Sequence, residues 1–330
     1  MSKKMNAQDA MLRLEQLKEG HLPPKETPKL ASPLYVKAYS NFMKYGTPCN
    51  TLREGTDGEG GFLVPDEFEK KIISALTEKN VIRSLARVIT TERTMKLAKA
   101  VGGGHAYWVP EEGPYPETST VFDQIVLGAH KLGDMIRVSD ELLEDSAFDI
   151  EDFIAKEFAR RFAQAEEDAF LLGDGKGKPL GIVHQIEKTI TTQNAGEISA
   201  DDLVDLQHSI PQKHRKNAVY VMSDATLREL YKIKSAYGRN IWAGDLTTGQ
   251  PLRLFGYPVI ISESMSIAES DQPAILFGDF SWYVIGDRKH RSVKRLNEVY
   301  ASHGQVGYMV THRVDAVLMD KQAIAGLKVK

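Results

Sequence analysis

One cysteine, Cys49, stands in 330 residues. That excludes an intramolecular disulfide and a zinc site built from several thiolates, and it fits a reducing compartment. No apolar run approaches the roughly eighteen residues that cross a bilayer. The opening "MSKKMNAQDAMLRLEQL" lacks the apolar core of a signal peptide, so no membrane partner is expected. A large positive charge is missing too: the net is −3, which argues against a strongly basic nucleic-acid binder. No repeat of fixed period appears. What is present is ordinary globular composition, 42% hydrophobic and 26% charged. The length suits one large domain or two of common size.

The charge is unevenly spread. Residues 1–50 hold eight Lys/Arg and four Asp/Glu, while the remaining chain holds 34 and 41. A basic leader on an acidic body reads as an arm with its own role. Residues 7–19 carry a short amphipathic pattern with Met11, Leu12, Leu14 and Leu17. "HLPPKETPKLASP" then places four prolines in thirteen residues, which excludes helix and central strand. "LYVKAYSNFMKYG" reads as a helix ended by Gly46, and the packed body is expected from about Gly60.

A helix from about Pro65 passes into a strand near 86–91. "HAYWVPEE" (105–112) and "TVFDQIVLGAHKLGDMIRVS" (120–139) both favour strand, with the proline-rich, acidic "GPYPETS" between them. Together they predict a long β-hairpin. A two-stranded ribbon is marginal alone in water and needs a surface to lie on. Trp108, Val109, Val121, Phe122, Ile125, Val126 and Leu127 do not alternate cleanly. The expected cover is therefore a neighbouring subunit.

Asp149 is placed to cap a helix over 150–172. Ile150, Ile154, Phe158, Phe162 and Ala165 form its apolar stripe, with Arg160, Arg161, Glu166 and Glu167 elsewhere. From Ser199 the rhythm becomes compact α/β: helix "ADDLVDLQHSI", strand "AVYVM", a helix capped by Ser223, then strands "YPVIIS", "AILFGDF" and "WYVIGD". Strands "RSVKRLNEV" and "VGYMVTHRVDAVLMD" follow, and "KQAIAGL" reads as a short closing helix.

"LLGDGKGKPLGI" (171–182) invites a phosphate-loop reading. A Walker loop needs G-x-x-x-x-G-K-[ST] between a strand and a helix. Counting back from Gly177-Lys178 puts Leu172 at the first glycine, and Pro179 stands where the hydroxyl belongs. A helix precedes the loop and none is expected to open after it, so the dinucleotide pattern fails as well. Gly173 as a left-handed helix cap explains the loop better. The histidines at 21, 105, 130, 184, 208, 214, 290, 303 and 312 show no metal spacing, and no G-x-S-x-G elbow occurs. Glu111, Glu112 and Glu117 sit at the hairpin tip as a solvated acidic cluster. "DRKHRSVKRL" (287–296), with five Lys/Arg and one His, suits phosphate backbone or, better, acidic residues of a neighbour. No catalytic, cofactor-binding or metal-binding residue is assigned, and the chain does not read as an enzyme.

Six segments occur in order: "TDGEGGFLVPDEF", "LLGDGKGKPLGI", "VMSDATLREL", "LFGYPVIISESM", "ILFGDFSWYVIGDR" and "HRVDAVLMDKQAIAGL". Over about 55–330 the chain resembles the tailed-bacteriophage major capsid family, the Hong Kong 97-like fold. The resemblance implies an α+β architecture. Residues 1–59 would be an N-terminal arm and 105–138 an extended loop across a neighbour. Residues 60–104, 139–198 and 286–330 would form a peripheral domain with spine helix 150–172. Residues 199–285 would form an axial domain, with 237–251 as an axial loop.

The implied function is self-assembly into homopentamers and homohexamers of an icosahedral virion shell holding double-stranded DNA through weak contacts. Assembly would take place in the host bacterial cytoplasm, with scaffolding protein, portal and decoration protein as candidate partners. The segment before Gly60 is shorter than the cleaved scaffolding segment of many members, so a separate scaffold or assembly without cleavage is expected. The crosslinking lysine, asparagine and glutamate of the type member align with Tyr115, near Gly304 and near Thr311, so no autocatalytic crosslink is expected. The rival readings are an encapsulin-like compartment shell, which the proline-rich arm disfavours, and an α/β enzyme using loop 173–181.

Overall fold

The computed structural model of the chain describes residues 32–46, 52, 62–101, 107–109, 121–144, 149–233, 252–267, 271–289 and 291–330. The helix expected at 7–19 and the axial loop 237–251 lie outside these. Helix α1 (Pro33–Tyr45) begins where Ser32 accepts from the Tyr35 amide and ends at Gly46 in the left-handed region, φ 72°. Its Tyr35, Tyr39 and Met43, spaced by four, are buried in one core with Phe158. The packed body therefore includes Pro33–Gly46, ahead of the expected start near Gly60. Two tyrosines made that apolar stripe look polar.

Strand β1 (Phe62–Leu63), helix α2 (Asp66–Lys79), helix α3 (Val81–Leu85) and strand β2 (Arg87–Thr91) follow. Asn80 turns the chain between the two helices. Its side chain accepts from the Arg83 amide at 2.9 Å and donates to the Ala163 carbonyl at 3.2 Å. Strands β3 (Met95–Val101) and β4 (Val121–Leu127) then form a two-stranded antiparallel ribbon. This corrects the expected hairpin of 105–112 with 120–139. Residues 107–109 carry no strand, and the run 120–139 breaks at Gly128–Ala129. Its second half, β5 (His130–Ser139), joins a different sheet.

The chain continues through α4 (Asp140–Glu144), α5 (Ile150–Leu172), α6 (Ile182–Gln185), β6 (Lys188–Thr191), α7 (Ala200–Ser209), α8 (Gln212–Arg215), β7 (Val219–Met222) and α9 (Asp224–Tyr231). It closes with β8 (Arg253–Leu254), β9 (Tyr257–Ile261), β10 (Ile275–Gly278), β11 (Tyr283–Arg288), β12 (Ser292–Leu296), β13 (Gln305–Leu318) and β14 (Ile324–Lys328). The closing helix expected at "KQAIAGL" is thus a strand. Ile324, Ala325 and Leu327 are all buried, and a short continuous apolar run does not distinguish a central strand from a helix.

Strand β13 organises the first sheet, ordered β1-β12-β13-β11-β2, with β5 also on β13. Along one edge β13 pairs with β12 and then β11; along the other it pairs with β5 from Gln305↔Ser139 to Val314↔His130. Val306, Tyr308, Val310, His312, Val314, Ala316 and Leu318 are buried on one face, the alternation of a sheet covered on one side. The cover is α1, α2 and α5. Asp149 caps α5 by accepting from the Glu151 and Asp152 amides at 3.1 Å. Ile154, Phe158 and Phe162 then pack over Ile136, Val138, Tyr308 and Val310. Each fully buried side chain of this size is worth about 1.5–3 kcal/mol.

The second sheet runs β6-β14-β10-β7-β9-β8. Strands β6 and β14 therefore belong with the α/β lobe, and β11 belongs with the first sheet. The expected division, with 139–198 and 286–330 on one side and 199–285 on the other, shifts accordingly. A shared core of Val221, Leu276 and Ile324 with Ile285, Ala316 and Leu318 joins the two sheets. Among the described residues no helix is long and apolar enough to cross a membrane.

Candidate assembly surfaces

The β3–β4 ribbon is rooted on the first sheet at three points. The Gly128 amide donates to the Asp315 carboxylate at 2.6 Å. Leu127 is buried over Gly286, where any Cβ would collide with its side chain, so glycine is needed there for close approach. Farther along, Lys99, paired with Asp123 in the ribbon, lies 3.9 Å from Asp320. Close to this root the ribbon exposes Met95, in register with Leu127, and Val126, and beyond its described part Trp108 is fully exposed. Ribbon surface of this kind suits contact with another molecule.

Opposite the helices, the first sheet turns out the odd-numbered side chains of β13 and their neighbours. Arg313 stands in register with Lys131, Met309 with Met135 and Lys294, and Gly307 with Arg137. The Arg137 guanidinium lies 5.3 Å from the Tyr300 ring centroid. The carboxylate on this face of β13 is Asp315, already engaged by the ribbon root.

The helix-facing side holds an ion cluster. Arg83 of α3 gives Nε and Nη2 to Glu166 of α5 at 2.7 and 3.2 Å, and Nη1 and Nη2 to Asp287 of β11 at 2.8 and 2.7 Å. Arg291 reaches Glu69 of α2 at 2.9 Å and Asp287 at 3.5 Å. His312 Nε2 stands 3.3 Å from Glu166 and 3.4 Å from Asp287, close but without hydrogen-bond alignment. Burial pushes the Glu166 carboxyl up, but the Arg83 charge and His312 outweigh it and hold it below its ordinary range. Burial likewise opposes ionisation of Asp287, and His312 and Arg83 reverse the direction.

Glu166 thus sits on the buried face of α5, not beside it as expected. Neighbouring Glu167 is buried too, accepting from the Val81 amide at 2.9 Å and from the Ser262 hydroxyl. Burial raises its carboxyl above the ordinary range despite those bonds. The basic stretch 287–296 is committed within the subunit at Asp287, Lys289, Arg291 and Arg295. Besides the Asp287 and Arg291 pairs, Lys289 meets Glu92 at 3.1 Å and Arg295 meets the Tyr308 hydroxyl at 3.2 Å. Lys294, in register with Met309, lies on the outward face.

The glycine-rich loop is a turn closed by the Asp174↔Leu180 bridge, with the Gly181 amide donating to the Gly173 carbonyl at 2.8 Å. Gly173 is extended, φ −60°, not left-handed; its Cβ would strike the Pro179 and Ala169 carbonyl oxygens. Gly175 and Gly177 take the left-handed turns instead. A four-residue helix, α6, does open after the loop, contrary to expectation. The loop lines a cleft of about 450 Å³ together with Leu132, Ala165, Ala169 and Leu172. Among the described residues no group of three or more His, Cys, Asp or Glu is placed to hold a metal ion. Of the aligned crosslink positions, Tyr115 lies outside the described residues, as do Glu111, Glu112 and Glu117. Gly304 closes a 3-10 turn at φ 60°, and the Thr311 hydroxyl bonds with Ser292 at 2.8 Å.

Residues 60–329 match the model of the phage capsid family. The chain belongs to that family. As a phage capsid family member it is 23% identical over 245 residues to the major capsid protein of Klebsiella oxytoca phage phiKO2, covering 70% of this chain and 56% of that protein. It is 23% identical over 270 residues to that of Escherichia phage T5, covering 75% and 58%. The chain thus spans somewhat over half the length of these two relatives. The capsid of a native GTA particle superimposes with TM-score 0.67 at 32% identity, over 76% of this chain and 90% of that one. A structure from Microbacterium phage Oxtober96 shares the fold at TM-score 0.60 and 18% identity, covering 76% of this chain and 91% of that one.

Proposed function

We propose that this chain is the major capsid protein of a tailed phage or phage-derived particle, a subunit that closes with copies of itself into an icosahedral virion shell around double-stranded DNA. The observation that carries this reading is the superposition on the GTA-particle capsid across most of both chains. Its physical counterpart is the ribbon, whose exposed Val126 and Met95 need cover that another copy would supply.

In this proposal the first sheet with α5 is the peripheral part, the second sheet is the axial part, and the ribbon with the residues beyond it is the extended loop. Pentamers and hexamers form around the axial ends, in the host cytoplasm, with scaffold, portal and decoration proteins as further partners. DNA is held by weak contacts. Interfaces of standard size bury roughly 1,600 Å², and several per subunit hold the shell without covalent help.

Thr311 offers no carboxylate and Gly304 no amide side chain, so crosslinking chemistry is not expected. Boiling assembled particles in SDS should release a single band at monomer mass. A ladder of covalent multimers would contradict the noncovalent reading.

A further inference from the structure

We propose that Glu167 is an acid-tightened pin between helix α5 and the second-sheet lobe, gripping Val81 and Ser262 most firmly when it carries a proton. One subunit suffices for such a device, whatever shell it builds. Glu166 and Glu167 are neighbours on α5, yet they serve opposite sides. Glu166 turns to the first sheet and meets the Arg83 guanidinium. Glu167 turns to the lobe and is met by uncharged donors, the Val81 amide at 2.9 Å and the Ser262 hydroxyl. Val81 opens α3, and Ser262 directly follows β9, its own amide donating to the Met222 carbonyl of β7 at 3.0 Å. One carboxylate therefore ties α5 to α3 and to two strands of the second sheet. Around it, Gln164 gives its side-chain amide to the Ser264 hydroxyl at 3.2 Å, and Asn80 gives its own to the Ala163 carbonyl at 3.2 Å. The joint is shielded from water: Glu167 is 7% exposed and Ser262 1%. Ile82, Phe170 and Met265, close to these residues in the chain, lie buried in one core.

The chemistry of the donors sets the direction. A buried carboxylate held by neutral donors keeps the desolvation cost that a guanidinium would offset. The charges that bear on Glu167 are those of Asp168, next to it on α5, and Glu263, next to Ser262, and both are negative. Arg83 of α3 is committed to Glu166 and Asp287. Burial and these like charges raise the Glu167 carboxyl above its ordinary range, although Ser262 and Val81 pull it down. The folded chain thus holds this proton more tightly than the unfolded chain. Ionisation weakens the joint above the folded value, and the joint gains strength as pH falls through that value toward the ordinary carboxylate range. The neutral carboxyl keeps both contacts: one oxygen accepts the Val81 amide, and the other shares a hydrogen with the Ser262 oxygen. Acid therefore firms the tie between α5 and the lobe while it weakens the Glu166 and Asp287 cluster on the other side of the helix.

Hydrogen exchange of the full chain tests this, read by mass spectrometry as protection factors from about pH 8 to about pH 5. In the parent chain, protection of peptides containing Val81 and 262–265 should rise at least about threefold on acidification, while that of β13 should not rise. Glu167→Gln stays neutral at every pH and can both accept and donate, so it should show high protection throughout and no rise. Ser262→Ala removes a donor to the charged form, so its rise should begin at higher pH than in the parent. Circular dichroism checks the fold of each variant. No rise in the parent, a rise of the same size in Glu167→Gln, or a rise in Ser262→Ala that begins no higher than in the parent overturns the pin. So does a parallel rise across β13, which would report the whole fold and not this joint. Should Glu167→Gln fail to fold, the parent and Ser262→Ala decide the matter by the same criteria.

Discussion

Arg83 divides its guanidinium between Glu166 and Asp287, so its removal strands two buried carboxylates. Arg83→Met should destabilise the subunit by about 3–5 kcal/mol in denaturant unfolding, since the uncompensated charges dominate the lost contact. The same pair sets the acid response. Glu166 and Asp287 titrate below their ordinary range in the folded chain, so their stabilisation is complete only above the ordinary carboxylate range, from about pH 5–6, and is lost as pH falls toward and through the folded values. Glu167 has the opposite sign: its raised carboxyl costs stability at neutral pH and relaxes on acidification. Unfolding midpoints followed from pH 7 into acid should therefore fall less steeply in Glu166→Gln, and Glu167→Gln should be at least as stable as the parent at pH 8. A steeper fall in the first, or a loss of stability in the second, would mean that the assigned directions are wrong. None of this was legible in the chain, because Arg83 lies 83 residues from Glu166 and 204 from Asp287. A glutamate next to an apolar stripe looks solvated until its partner is known.

Elements with local signals were read correctly: α5 with its Asp149 cap, α7 behind Ser199, and α9 behind Ser223 all carry their boundaries in adjacent residues. Those whose identity depends on distant pairing were not. β4 found its partner in "MKLAKAV" and β14 took a central place in the second sheet, both fixed by pairing that no window of sequence contains. The glycine-rich loop was rightly read as a turn, but Gly173 was read as a left-handed cap, whereas it is extended and needed for space, and Gly175 and Gly177 take the left-handed turns. Gly173→Ala should cost about 2 kcal/mol or more, because two carbonyl oxygens occupy the Cβ position. Gly177, left-handed but with open space around it, should tolerate alanine better. Thermal unfolding of the two variants side by side checks the order. At the ribbon root, Leu127→Ala should loosen β3 and β4 and speed proteolysis there relative to the sheets; equal cleavage would show that the ribbon is held elsewhere.

On the scale of the whole molecule, order of motifs carried more than any single motif. Six weak segments in sequence pointed to the capsid family, and the match over 60–329 shows that family. Composition does not reveal the surfaces that the fold exposes, such as the apolar Met95 and Val126 of the ribbon. The most direct test of shell assembly is negative-stain microscopy of the chain expressed with the companion proteins of its locus, with intact mass measured on the purified material. Closed icosahedral particles built from this chain are predicted. A monodisperse monomer or small ring that never closes, even with those companions present, would contradict the capsid reading.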